Sequence, residues 1–184
     1  MIRYCDGSSF TGNSKKIYNG TKLYFKGARI FESTLKVLLK KGMKSAKNAL
    51  LVGESAGGVA AMLHCDSFRQ KFSNSTHVKC LSDAGYFFAA KKHNFWSKSL
   101  FVSIFEGVVN LHRPTKMLPK SCTSKFTPTM CYFAQNVQHD IKTPIFFIMS
   151  EFDSVEIAFT TDKSYDDCMK YKTCTSDQIN VMQG

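Results

Sequence analysis

The sequence predicts an α/β fold built on a mostly parallel sheet. Three observations carry that reading. Short runs bounded by turn residues recur at Ala49–Val52, Val78–Leu81 and Pro144–Met149, apolar throughout except for Lys79, each the length of a strand. Stretches with helical spacing alternate with them, which implies parallel strands joined by crossover helices. The first run also enters Gly53-Glu54-Ser55-Ala56-Gly57-Gly58 and leaves into Val59, Met62 and Leu63. That order is strand, sharp turn, helix. At 184 residues, with 43% hydrophobic and 21% charged residues, the chain is long enough for one domain with a sizeable core.

Taken in order, Met1–Cys5 reads as a short strand closed by Asp6-Gly7-Ser8-Ser9, and residues 10–20 as a polar loop. From about Thr21 to Lys41, Ala28, Phe31, Leu35, Leu38 and Leu39 share a helical face, with Lys40 and Lys41 at its end and Gly42 as the stop. The strand at Ala49, the turn at Ser55 and a helix to about Cys65 follow. Val78–Leu81 is the next strand and ends in Ser82-Asp83-Ala84-Gly85. Residues 89–139 form an excursion, or cap, with a helical patch near Phe101–Leu111 and turn signals at Pro114, Pro119 and Pro128. Pro144–Met149 is a buried strand that ends in Ser150-Glu151-Phe152-Asp153-Ser154. Thr175-x-x-Gln178 is a capping box that opens a last helix. No repeat, linker or low-complexity tract interrupts the series, and no stretch is long enough to span a membrane.

Lys and Arg number 25 against 14 Asp and Glu, a formal charge of +11. Such a surplus either keeps a surface solvated or meets a polyanion. Lysines cluster at Lys36, Lys40, Lys41, Lys44 and Lys47, and again at Lys91, Lys92 and Lys98. No run of basic residues interleaved with aromatics appears, which argues against nucleic acid as partner. Seven cysteines include no Cys-x-x-Cys pair, so no structural zinc site is expected. Cys122 and Cys131, and Cys168 and Cys174, lie close enough in sequence for local disulfides. Asn19-Gly20-Thr21 and Asn74-Ser75-Thr76 are glycosylation sequons. Both features point to an oxidising, secreted setting. Residues 1–25 nevertheless show no signal peptide, because Arg3, Asp6, Lys15 and Lys16 break any apolar run.

Gly-x-Ser-x-Gly between a strand and a helix is the pattern of a nucleophile elbow. Ser55 is then the candidate nucleophile. Gly53, Gly57 and Gly58 would give the turn room, since a Cβ beside it would collide with the neighbouring strand or helix. The N–H of Ala56 would face a developing oxyanion. In hydrolases with this elbow the acid follows the serine and the histidine follows the acid. Asp83 and Asp153 both end strands after Ser55. The later one, Asp153, is the expected triad acid, and Asp83 becomes a pocket or loop-anchoring residue. His64, His77, His93, His112 and His139 all precede Asp153, so the general base in this order is not in the chain. His64 lies nine residues along the helix from Ser55 and points away from it.

Several blocks resemble the plant pectin acetylesterase family and, more distantly, the animal carboxylesterase that deacylates Wnt proteins. They are Arg3–Gly12, Lys26–Phe31, Ser55–Gly58, Leu63–Asp66, Cys80–Gly85, Leu118–Cys122, Thr143-Pro144, Asp153-Ser154 and Gln178–Gly184. The resemblance implies an α/β-hydrolase-like fold and a secreted, glycosylated plant cell-wall esterase that removes O-acetyl groups from galacturonan. It implies no metal or other cofactor, no membrane association, and a monomer when complete. It assigns Ser55 as nucleophile and Asp153 as triad acid. Glu54 departs from the family's usual cysteine. Family members also begin upstream of Met1 and continue past Gly184 to a further strand and the triad histidine. Residues 1–184 are therefore expected to form a single domain fragment, with a strand missing between Ile2–Cys5 and Ala49–Val52 and with Cys5 separated from its partner. The rival expectation is a non-catalytic, pectin-binding remnant of the family.

Overall fold

The computed structural model describes residues 1–89, 100–114, 116–161 and 163–183. Lys91, Lys92, Lys98 and His93 lie outside the described residues. The centre is a parallel three-stranded sheet in the order β3-β4-β5, with β3 at Asn48–Glu54, β4 at His77–Asp83 and β5 at Ile145–Ile148. It is preceded by an antiparallel hairpin of β1 (Ser14–Tyr18) and β2 (Thr21–Phe25), and by helix α1 (Gly27–Lys40). The parallel sheet, the crossover helix and the disulfides expected at Cys122–Cys131 and Cys168–Cys174 are all present.

Helix α2 (Ala56–Arg69) fills the space beside the sheet. Its sequence is apolar or small almost all round, as a helix buried on several sides requires. Val59, Met62 and Leu63 pack with Phe101, Phe105, Tyr132 and Phe133. On another side, Ala60 and Phe68 meet Phe31 and Leu35 of α1, Val78 of β4 and Leu51 of β3. Much of the excursion is therefore core and not an outlying flap. It contains α3 (Leu100–His112), α4 (Lys120–Thr123) and three short 3₁₀ turns before β5. A disulfide not anticipated from spacing, Cys65–Cys80, ties α2 to β4. Cys5 is free and exposed.

The opposite face of the sheet is bare. Leu50 and Val52 on β3 and Phe146 and Ile148 on β5 are 61%, 52%, 65% and 42% exposed. Parallel sheets are ordinarily covered on both faces. The four side chains stand there because strand residues alternate between faces, and the other face of β3 and β4 already lies against α2.

Three of the sequence-based elements differ. No strand forms at Met1–Cys5. Residues 1–5 pair with no strand among the described residues; Tyr4 instead turns to the following loop, its Oη accepting from Ser9 N at 2.8 Å and its ring lying against Phe10. The polar loop of residues 10–20 contains β1, and α1 begins at Gly27 because Thr21–Phe25 pairs with β1. Asn19 (φ 45°) and Gly20 (φ 76°) form the hairpin turn, the two positive φ values that a two-residue type I′ connection needs. After β5 the chain forms α5 (Ser154–Thr160) and α6 (Lys163–Tyr171), then α7 (Ser176–Gln183) behind its capping box. In that box Gln178 N donates to Thr175 Oγ1 at 3.2 Å, and Thr175 N donates to Gln178 Oε1 at 3.0 Å. Among the described residues no helix is long and apolar enough to cross a membrane.

Candidate active site

Ser55 sits between the last residue of β3 and the first of α2, with φ 53° and ψ −120°. A non-glycine residue held there stores strain and persists only where its surroundings over-determine it. Two bonds do so: Ser55 N donates to Asp83 O at 2.8 Å, and Ser55 O accepts from Val59 N at 3.1 Å. The side chain is exposed. Ala56 opens the helix, so its N–H belongs to the first-turn amides that no helix carbonyl reaches.

The glycines around the serine do different work. A Cβ on Gly53 would overlap the carbonyl of Gly57. One on Gly58 would lie 2.8 Å from Ser82 Oγ and 2.9 Å from both Asp83 O and Gly85 Cα. Gly57 meets nothing within 4 Å. The expectation that a Cβ would collide on both sides of the serine thus holds at Gly53 and fails at Gly57. The close approach on the helix side is made by Gly58.

Ser55 opens onto a cleft of about 560 Å³. One wall is the edge of β3, with Leu51 and Val52. The other is the N-terminal segment, with Ile2, Tyr4 and Phe10. That segment is held by buried polar bonds. Thr11 Oγ1 lies 2.6 Å from Tyr132 Oη, Gly12 N donates to Ser8 Oγ at 2.9 Å, and Asp6 accepts from Gly27 N. His64 belongs to this support. Its Nε2 lies 3.0 Å from Phe10 O, and its ring stacks on Phe31. Burial pushes its pKa down to about 4 against the pull of the Phe10 carbonyl.

Asp83 ends β4 in register with Glu54 on β3 and Ile148 on β5. Its carbonyl locks the elbow, and no hydrogen bond reaches its carboxylate among the described residues. Asp153 lies beyond the end of β5 and N-caps α5, its Oδ1 accepting from Val155 N at 3.0 Å and Glu156 N at 2.9 Å. The strand order thus places Ser55, Asp83 and Asp153 at or past the C-terminal ends of three neighbouring strands, with Asp83 on the middle one. Asp153 does not line the cleft at Ser55.

Two participants were not anticipated. Glu156, one turn from Asp153, accepts from Phe88 N at 3.1 Å. Burial raises its pKa to about 7, the Phe88 bond opposes this, and Asp153 adds to it. A glutamate three residues after a strand-end Asp is the signal that could have found it. The second is the polar support of residues 6–12, foreshadowed only by its small residues. None of the histidines among the described residues lines the cleft: His77 starts β4 at the far end of the sheet, and His112 is buried against Phe25. Among the described residues no three of His, Cys, Asp and Glu converge as a metal site would require.

A strained serine between a parallel strand and a buried helix is the geometry of an α/β hydrolase elbow. The whole chain, residues 1–184, matches the family model described as Pectinacetylesterase. The chain belongs to the pectinacetylesterase family. It is 44% identical over 191 residues to Pectin acetylesterase 7 and 41% identical to Pectin acetylesterase 11, both from Arabidopsis thaliana. All of this chain and 48% of each relative are covered. The crystal structure of the Wnt deacylase Notum from Drosophila superposes with a TM-score of 0.73 at 22% identity, covering 97% of this chain and 51% of Notum. The α/β-hydrolase-like fold is therefore common to both, and the chain spans about half the length of these relatives.

Proposed function

We propose that this chain carries the nucleophile of a serine carbohydrate esterase that hydrolyses O-acetyl esters of pectin. The observation behind the proposal is Ser55, strained and exposed at the turn between β3 and α2, in a chain of the pectinacetylesterase family. Ser55 Oγ attacks the acetyl carbonyl carbon while a histidine takes its proton. The tetrahedral oxyanion accepts a hydrogen bond from Ala56 N–H. Collapse breaks the bond to the sugar oxygen, which takes the proton from the histidine and departs as the alcohol, leaving an acetyl-serine. Water then attacks that ester and releases acetate. Asp153 orients the imidazole, and its Oδ1 contacts to the α5 amides fix the carboxylate for that work. Gly53 and Gly58 hold the turn open. Asp83 anchors the elbow through its carbonyl. None of the histidines among the described residues lines the cleft, so none of them is assigned as that base. Three disulfides and the exposed sequon asparagines Asn19 and Asn74 support a secreted, glycosylated protein of the plant cell wall.

A second reading, pectin binding without turnover, is favoured by the absence of any described histidine from the cleft. The two are separated by a chimera in which residues 1–184 replace the matched stretch of Pectin acetylesterase 7. Acetate released from acetylated pectin by the chimera, and lost in Ser55→Ala, supports the esterase. A folded chimera that releases none supports the binding reading.

A further inference from the structure

The hairpin of β1 and β2 is a basic and aromatic ribbon with no use in the chemistry above. Between Ser14 and Phe25 it holds Lys15, Lys16 and Lys22 and no acidic residue. Ile17, Tyr18 and Tyr24 are 71%, 67% and 62% exposed. Its root is fixed: Ser14 Oγ donates to Leu111 O at 2.6 Å, Asn13 N donates to His112 O at 3.1 Å, and Phe25 packs edge-on against His112. The ribbon therefore projects from an anchored base. Pairing places Lys15 opposite Tyr24 and Ile17 opposite Lys22. Because cross-strand partners share a face, these four residues form a checkerboard, with two ammonium groups on one diagonal and two apolar groups on the other. Such interleaving is invisible along the chain, where Lys15 and Tyr24 are nine positions apart.

We propose that this face of the hairpin is an anchoring site for an acidic polysaccharide, separate from the cleft at Ser55. The lysines on the diagonal meet carboxylates of successive uronate residues. The flat ring of Tyr24 takes the C–H face of a sugar while its hydroxyl stays in water. The ligand class rests on the pectin reading above, but the site does not use Ser55 and needs no ester.

The test is affinity electrophoresis of the 184-residue chain, produced without glycans, in gels containing ester-free polygalacturonate. Lys15→Glu/Lys22→Glu should weaken retention about tenfold, since two charge pairs are reversed, while the equal charge change Lys40→Glu/Lys41→Glu on α1 should leave most of it. Tyr24→Ala should weaken it about fivefold and Tyr24→Phe much less. All of these side chains are exposed, and unchanged circular dichroism verifies folding. Equal loss in the α1 variant, or no loss in the hairpin variants, overturns the proposal. So does stronger hairpin-dependent binding to phosphatidylserine vesicles or single-stranded DNA, or a self-association that the hairpin variants abolish. The two readings fail separately. A chimera that releases no acetate while hairpin-dependent retention persists removes only the esterase. Acetate release with hairpin-independent retention removes only the anchor.

Discussion

Replacing the elbow glycines one at a time by alanine should give three different outcomes. At Gly53 the new methyl would occupy the space of the Gly57 carbonyl. That atom is backbone, so no rotamer relieves the overlap, and the start of α2 must move away from β3. Overpacking of this kind costs about 3 kcal/mol or more, a large fraction of the roughly 5–15 kcal/mol that holds a domain together. At Gly58 the methyl would be 2.8 Å from Ser82 Oγ and 2.9 Å from Asp83 O and Gly85 Cα. Ser82 is fully buried and can give little, so about 2 kcal/mol is expected. At Gly57 nothing lies within 4 Å. Alanine there should stabilise by about 0.5 kcal/mol, since glycine is the poorer helix former and this is only the first turn. Urea denaturation followed by far-ultraviolet circular dichroism gives the ranking Gly57→Ala above wild type, above Gly58→Ala, above Gly53→Ala. A Gly57→Ala midpoint as low as that of Gly53→Ala would refute the geometry.

Between about pH 4.5 and 6.5 His64 and Glu156 should push stability in opposite directions. His64 has its pKa lowered to about 4 in the fold. As pH falls from about 6.5, the unfolded chain takes up a proton that native His64 refuses, and stability drops by up to about 3 kcal/mol. Glu156 has its pKa raised to about 7, so the native state keeps a proton the unfolded chain loses, and stability rises as pH falls from about 7 to 4.5. Denaturant midpoints of His64→Gln should therefore climb toward acid, and those of Glu156→Gln should fall; two variants with the wild-type profile would contradict both assignments. Leu50→Lys/Phe146→Lys, at side chains 61% and 65% exposed, should reduce binding of a hydrophobic dye and increase soluble monomer at little cost in stability; unchanged dye binding would mean that the face is already covered. In the chimera, Asp153→Asn should lower acetate release by about 10⁴ if the residue orients the base, and Asp83→Asn much less at matched stability; the reverse order would exchange their roles.

The elbow was legible because two independent signals coincide there: an apolar run of strand length and a Gly-x-Ser-x-Gly turn with a helix behind it. The hairpin was not, for a physical reason. Both of its faces are largely exposed, so Lys15, Lys16, Ile17 and Tyr18 show no alternation of apolar and polar residues. The Asn19-Gly20 pair suits a type I′ turn and also opens a sequon, but without alternating strands on either side it does not by itself signal a hairpin. Helices α5 and α6 are short and polar, which leaves little periodicity to find. Asp153 ends the β5 region as expected, but its capping of α5 depends on a helix that the sequence signals weakly. Cys65–Cys80 joins a helix to the next strand across 15 positions, and only separations of nine and six invited pairing by proximity. The role given to Gly57 followed from its place in the motif. Whether a Cβ fits depends on how β3, α2 and β4 approach one another.

The account rests most directly on acylation of Ser55. The chimera described above, quenched in acid during turnover of acetylated pectin and digested, should yield an acetyl group on the peptide that contains Ser55. Ser55→Ala should yield neither that adduct nor acetate. Acetate release with no acyl-serine, or with the acetyl group on any other residue, would contradict the assignment of Ser55 as nucleophile.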